Sequence, residues 1–126
     1  MHYKALWPLT KRANRGFHGY PAATVAFYGP DDRVASKVAV GILPSEGAET
    51  SALERWFASE HDVRTDAGIV SAIQKFIDAH AARTLFMHEG MLGCPHEEGG
   101  DYPEGEWCPQ CPFWKGRDRW AGVLGE

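Results

Sequence analysis

Residues 22–42 read AATVAFYGPDDRVASKVAVGI and predict a β-hairpin. The first seven residues are an apolar run between a proline and a glycine, as expected of a buried strand. The GPDD stretch that follows has turn chemistry, because Pro presets φ and Asp accepts hydrogen bonds from nearby backbone. From residue 34 onward Val34, Ser36, Val38, Val40 and Ile42 fall at every second position, which is the period of a strand. The other face of this strand is nearly bare at Ala39 and Gly41, so we expect a close approach to the backbone there.

A short helix is predicted to follow the hairpin. Ser51 and Glu54 have the spacing of a capping box, in which each side chain accepts a hydrogen bond from the other residue's backbone N–H. Leu53, Trp56 and Phe57 would then be the buried side of this helix.

A second helix is predicted to begin near Thr65 and Asp66, because apolar residues recur from there with the period of an amphipathic helix. The residues of this stripe are Ile69, Val70, Ile73, Phe76, Ile77 and His80. Residues 84–88 read TLFMH and are predicted to form a third strand.

These elements predict a single small α+β domain spanning residues 1–126. The hairpin and the third strand would form a small antiparallel or mixed sheet, with the helices packed on one of its faces. Residues 1–20 lack a clear period and are expected to be an irregular arm, and residues 21–90 would be the α+β core. Residues 91–126 are rich in Pro, Gly and Cys and are expected to form an irregular segment held together by a metal.

Composition narrows the classes of function. The proportions of hydrophobic residues (44%) and charged residues (24%) are those of a globular protein. A formal net charge of −4 gives no general attraction to nucleic acid, so a nucleic-acid partner is not expected. No apolar run approaches the ~20 residues of a membrane span, and no apolar leader precedes the hairpin, so we expect a cytoplasmic protein without membrane contact.

Charge is unevenly distributed along the chain. Residues 1–20 are basic and residues 97–106 are acidic. We expect these segments to be solvated or to touch each other, and the alternative is a basic arm that grips an anionic ligand. The basic residues are Lys4, Lys11, Arg12 and Arg15, and the acidic ones are Glu97, Glu98, Asp101, Glu104 and Glu106.

All three cysteines lie near the C-terminus beside a histidine. Cys94 and His96 form a C-x-H pair, and Cys108 and Cys111 form a C-x-x-C pair. Thiolates and an imidazole at such spacings are the ligands of tetrahedral zinc sites. The sequence therefore predicts a zinc ion held by these four residues, with a structural role if all four positions are filled by protein.

The C-x-H pair is one residue shorter than the C-x-x-C spacing that is common in zinc sites. The identity of the fourth ligand is therefore not fixed by the sequence. His88, or an acid such as Glu97 or Asp101, could replace His96. If water took one position, the site would instead suit a small zinc-dependent hydrolase, with Glu97 or Glu98 as general base.

A second interpretation involves the C-x-x-C pair alone. The stretch WCPQC at residues 107–111 resembles the redox motif of thioredoxin-like proteins, in which Cys108 and Cys111 would form a reversible disulfide. The motif there precedes a long βαβ continuation, whereas here only fifteen residues follow it.

The C-terminal motifs also resemble the signature of a family of small, uncharacterised bacterial proteins. The resemblance is carried by GCPHEEG (93–99), DYPEG (101–105) and CPQCPFW (108–114) and extends over residues 18–120. It implies a bacterial cytosolic domain and carries over no activity, catalytic residue or substrate.

Together these features predict a zinc-stabilised binding or interaction module without catalytic activity. Its partner would be a protein or a small molecule. The zinc hydrolase and the dithiol oxidoreductase are the alternatives.

Overall fold

The computed structural model describes residues 3–97 and 99–114. In chain order its elements are a 3₁₀ helix (Lys4–Leu6), α1 (Trp7–Ala13), β1 (Ala22–Tyr28), β2 (Lys37–Leu43), β3 (Ala52–Phe57), a 3₁₀ helix (Val63–Thr65), α2 (Ala67–Ala79), β4 (Thr84–Met91) and a 3₁₀ helix (Pro112–Trp114). The described strands form one sheet in the order β3-β2-β1-β4. β1 and β2 are antiparallel, as are β2 and β3, while β4 runs parallel to β1. The predicted α+β class with a mixed sheet is confirmed.

The hydrophobic core lies between one face of the sheet and the two helices. Alternate residues of β1 and β2 point into it, and the register places Val25 opposite Val40 and Phe27 opposite Val38. These side chains are buried in one cluster with Leu6, Leu9, Val70, Ile73 and Ile77 from the helical side. The opposite face of the sheet, here called the open face, carries Thr24, Ala26, Ala39 and Gly41 on β1 and β2.

The hairpin is confirmed, but its connection is longer than predicted. β1 ends at Tyr28 and β2 begins at Lys37, and the backbone N–H of Ser36 donates to the Tyr28 carbonyl at 2.8 Å. Val34 is exposed and lies in the connection, so the alternation predicted from residue 34 begins too early. Asp31 accepts a hydrogen bond from the Arg33 backbone N–H at 2.9 Å, as its turn chemistry predicts.

The predicted helix after Ser51 is wrong, because residues 52–57 form the strand β3. Leu53, Trp56 and Phe57 match the i, i+3, i+4 pattern of a helix, yet over six residues this pattern does not exclude a strand. Pairing with β2 decides the outcome, since Leu53 lies opposite Gly41 and Phe57 opposite Lys37.

The prediction of an irregular arm over residues 1–20 is also wrong in part. Trp7–Ala13 is helical and has a proline in its first turn, where the missing N–H costs nothing. Leu6 and Leu9 are fully buried in the core. Arg12 of α1 pairs with Asp78 of α2 at 3.0 Å, so one charge of the basic arm joins the two helices.

The second predicted helix is confirmed as α2, which begins one residue after Asp66. The Asp66 carboxylate accepts from the Ile69 backbone N–H at 3.0 Å and so caps the helix. The predicted stripe faces the core, where Val70, Ile73 and Ile77 are buried. The third predicted strand is confirmed as β4, which extends three residues further, to Met91. Of the helices in the described part of the chain, none has the length and apolar character needed to cross a membrane.

Candidate metal centre

After β4 ends at Met91, the next two residues of the chain remain hydrogen-bonded to the end of β1 and the residue after it. The backbone N–H of Leu92 donates to the Phe27 carbonyl at 2.8 Å, and that of Gly29 donates to the Gly93 carbonyl at 2.9 Å. These two bonds fix the position of Cys94 relative to the sheet. Residues 92–114, here called the C-terminal segment, therefore begin at a defined point next to the β1–β2 connection.

Four ligand atoms from this segment converge. The Sγ atoms of Cys94, Cys108 and Cys111 and a ring nitrogen of His96 all lie within 4.8 Å of one another. His96 Nδ1 is 3.2, 3.4 and 3.5 Å from the three sulfurs, in chain order. Zn–S bonds of ~2.3 Å and a Zn–N bond of ~2.0 Å at tetrahedral angles place a sulfur and a nitrogen about 3.5 Å apart. The donor set therefore could hold a metal ion at its centre.

Short local turns present the ligands. The His96 backbone N–H donates to Cys94 Sγ at 3.2 Å, which folds the C-x-H pair onto itself. The Cys111 N–H donates to the Cys108 carbonyl at 3.4 Å, and the Trp114 N–H donates to the Cys111 carbonyl at 3.1 Å. Both pairs are thus tight turns in which neighbouring ligands reach a common point, and the short C-x-H spacing does not prevent this.

The site is buried although the segment has little regular structure. Cys94 is 3% exposed and Cys111 2% exposed. Burial is the main cause that raises the pKa of the Cys94 thiol, and burial likewise raises the pKa of the Cys111 thiol. Thiolates at Cys94 and Cys111 would also repel each other, because their sulfur atoms lie in one cluster. A divalent cation at the centre removes this repulsion and makes the thiolate form the stable one.

Two aromatic residues pack against the cluster, and one of them also contacts the main core. Tyr102 is buried in the same small cluster as the three cysteines. Trp114 packs against both this cluster and the main core, and its Nε1–H donates to the Gly29 carbonyl at 2.8 Å. Trp114 therefore joins the cluster to the main core.

Glu97 ties the segment to the open face of the sheet. Its carboxylate lies 2.9 Å from Lys37 Nζ and 2.6 Å from Arg55 Nε. Lys37 also donates to the Pro95 carbonyl at 3.0 Å, and its side chain is only 5% exposed. The hydrogen bond from Lys37 is the largest cause that lowers the pKa of Glu97, and Arg55 lowers it further. Sequence reasoning missed this contact; its signal was a lysine inside an apolar alternating strand.

The alternative fourth ligands do not join the cluster. Within residues 3–97 and 99–114, the group of possible metal ligands consists of the three cysteines and His96 alone. His88 lies on β4 and accepts from the Gly90 backbone N–H at 3.2 Å. Asp101 accepts from the Glu97 backbone N–H at 2.7 Å. Glu98, the second candidate for general base, lies outside the described residues.

A pocket of about 540 Å³ lies between the segment and the open face of the sheet. Ser36, Lys37 and Phe57 line it from the sheet, and His96, Glu97 and Cys111 line it from the segment. Its volume is typical of sites for small ligands. One wall of this pocket is therefore built from ligands of the candidate metal centre.

Comparison of the chain with models of protein families, with curated proteins and with solved structures gave no match. The resemblance to a family of small bacterial proteins therefore stays a prediction.

Proposed function

We propose that this protein is a zinc-stabilised interaction module. The observation that carries the proposal is the convergence of four protein ligand atoms within 4.8 Å of one another. Four protein ligands fill a tetrahedral shell, which is the arrangement of a structural rather than a catalytic zinc site. Three sulfur donors favour zinc over the hard cations Mg²⁺ and Ca²⁺, which bind oxygen.

The chemistry around Glu97 argues against the hydrolase alternative. A general base needs a pKa near the working pH and a free lone pair directed at the reacting water. Lys37 and Arg55 occupy the Glu97 carboxylate and lower its pKa. His96 fills the position that a metal-bound water would need. Glu97 is therefore better suited to holding the C-terminal segment against the sheet through ion pairs than to transferring a proton.

The dithiol alternative is disfavoured by the thiol environment. A reactive cysteine is more acidic than usual and partly exposed. Cys111 is buried, and that burial raises its pKa. Residence in a reducing cytoplasm is part of the proposal, because a zinc site of this kind requires that its three thiols stay reduced.

Elemental analysis of the purified protein and three variants tests the proposal. We expect about one zinc ion per chain in the unmodified protein, and its loss in Cys111→Ser and His96→Gln. His88→Gln is the matched control, because this histidine is the alternative ligand suggested by the sequence and lies on β4. It should keep its zinc.

Two outcomes would overturn the proposal. One is a wild-type protein that stays free of zinc after refolding with a stoichiometric supply. The other is a Cys111→Ser variant that binds zinc as tightly as the wild type.

A further inference from the structure

The second nitrogen of the His96 ring has no partner among the described residues. Nδ1 faces the three sulfurs, and no hydrogen bond to Nε2 is formed within residues 3–97 and 99–114. A histidine that binds a metal through Nδ1 is neutral and carries its proton on Nε2. Metal-bound histidines almost always donate that second N–H to a carboxylate, a carbonyl or water. His96 therefore presents a hydrogen-bond donor that the described protein leaves unused.

This donor belongs to a residue that lines the pocket between the segment and the open face. Phe57 lies across the pocket, 64% exposed, and offers an aromatic surface. The hydroxyls of Ser36 and Ser59 and the amide of Gln110 also line the pocket, and no described residue hydrogen-bonds to these three side chains. The pocket thus combines one apolar wall with several free polar groups, as ligand sites commonly do.

The charges around the pocket favour a neutral ligand over an anion. Lys37 and Arg55 both pair with the carboxylate of Glu97, and Asp101 adds a second carboxylate to the lining of the pocket. Three thiolates and a neutral imidazole around Zn²⁺ leave one net negative charge next to the pocket. An incoming carboxylate would face this charge and both acidic side chains, whereas an amide carbonyl offers an acceptor without a charge.

We propose that the pocket binds a neutral amide with an apolar side group, as in a peptide main chain. The amide carbonyl accepts from His96 Nε2–H, and the apolar group packs against Phe57. The inference rests on the proposed zinc site, since the zinc fixes which nitrogen of His96 carries the proton. It names the chemistry of the partner that an interaction module of this kind would bind.

The edge of the sheet indicates that the amide comes from an extended peptide. β3 is an outermost strand, and no other strand of the described chain pairs with its free side. Phe57, the last residue of β3, lines the pocket. A peptide added antiparallel to β3 would place an acidic side chain opposite Arg55 and an apolar one opposite Leu53, which is 47% exposed.

NMR titration of the zinc-loaded protein tests the inference. The first probe is N-acetylphenylalaninamide, for which we expect a Kd of about 1 mM from its size. The second is a longer capped peptide, acetyl-Phe-Ala-Glu-Ala-Leu-amide. Antiparallel pairing places its Phe opposite Phe57, its single charged residue, Glu, opposite Arg55 and its Leu opposite Leu53, so it binds more tightly only if the edge of β3 is used. Saturable shifts should appear at Phe57, and the His96 Nε2–H signal should become protected from exchange.

Phe57→Ala should weaken binding of the first probe about tenfold, because an aromatic contact is lost. Phe86→Ala is the matched control, since Phe86 is also an exposed phenylalanine of an edge strand, and it should bind normally. N-acetylphenylalanine, which carries a carboxylate, should bind more weakly than the amide. If the longer peptide and the small amide bind equally well, the pocket binds the amide but the edge of β3 does not pair with the peptide.

Failure of the pocket and failure of the zinc site are separate results. A protein that holds zinc but shows no saturable shift with either amide, or binds the carboxylate better, contradicts the pocket inference alone. A protein that takes up no zinc contradicts the proposed function, whatever it binds.

Discussion

The α+β core and the C-terminal segment are held together by different means. The core buries fifteen hydrophobic residues in one cluster between the sheet and the helices. The segment buries four residues of its own, of which three are cysteines and one is Tyr102. Apolar burial contributes roughly 25 cal/mol for each Å² removed from water, so the core has a large source of stability that the segment lacks.

This difference gives the proposed metal its structural role. Irregular backbone cannot form the ladders that satisfy its polar groups in sheets and helices, and it buries little apolar surface. A metal bound by four side chains replaces that missing stabilisation, because an unfolded chain holds no preformed site. We therefore expect the segment to depend on zinc and the core to be independent of it.

Removal of zinc should have the largest effect, and only on the segment. A chelator, or the Cys111→Ser substitution, should speed amide exchange of residues 94–114 more than about a hundredfold. Amides of β1 and β2 should exchange as before. Hydrogen exchange followed by mass spectrometry measures both regions, and Gln110→Ala is the control next to the ligand. Loss of protection across the whole sheet would show that the two regions are not independent.

Ile73→Ala should have the next largest effect, and in the core. Ile73 is 1% exposed on α2, so the change leaves a cavity and costs about 2–5 kcal/mol of the free energy of unfolding. Ser71→Ala, at an exposed position of the same helix, is the control and should change little. Denaturation in urea measures the difference. Zinc content should be unchanged, and a loss of zinc in the folded variant would contradict the proposed separation.

Asp62 is the polar anchor of the core, and its removal should have a smaller effect. Its carboxylate accepts from the Ala35 backbone N–H at 3.0 Å and lies 2.6 Å from Arg64 Nη2. Burial acts to raise the pKa of Asp62, but the bonds from Arg64 and Ala35 outweigh it and leave the pKa below the ordinary 3.8. Asp62→Asn should cost about 2–3 kcal/mol, because the buried Arg64 loses its ion pair with Asp62.

The pH dependence of Asp62 follows from the sign of its pKa shift. A carboxyl group whose pKa is lowered on folding binds fewer protons in the folded state than in the unfolded state. Its stabilisation is fully present above pH 3.8 and is lost as pH falls through the lower folded value. Urea denaturation of zinc-free protein at pH 7 and pH 2 should therefore find a smaller Asp62→Asn effect at the lower pH. An equal effect at both would contradict the assignment.

Glu97→Gln should have the smallest effect. The carboxylate joins Lys37 and Arg55 to the segment, but its side chain is 46% exposed, so water screens the ion pairs and the cost is below about 1 kcal/mol. Addition of 1 M NaCl should remove most of the difference from the wild type. A cost that persists in high salt would indicate that the uncharged hydrogen bonds of Glu97 matter more than its charge.

The sequence predicted the parts of the fold that have a long period or a distinct spacing. The stripe of α2 covers more than three turns, and the alternation of β2 spans its whole length, so few other structures fit them. The C-x-H and C-x-x-C spacings placed the four donor residues correctly in one cluster, since few side chains bind metals and these lie close together in the chain.

The parts that failed are short or depend on distant contacts. β3 satisfies a helical pattern over six residues, and only its pairing with β2 decides between the two structures. α1 has a proline in its first turn and only seven residues, too few for a period to be recognised. The tie of Glu97 to Lys37 joins residues sixty positions apart, which no local pattern predicts.

X-ray absorption at the zinc edge tests the central claim most directly. The proposed centre predicts a first shell of about three sulfur atoms at ~2.3 Å and one nitrogen at ~2.0 Å, without a light atom from water. A shell with two or fewer sulfur atoms, or one completed by water oxygen, would contradict a closed site formed by Cys94, His96, Cys108 and Cys111.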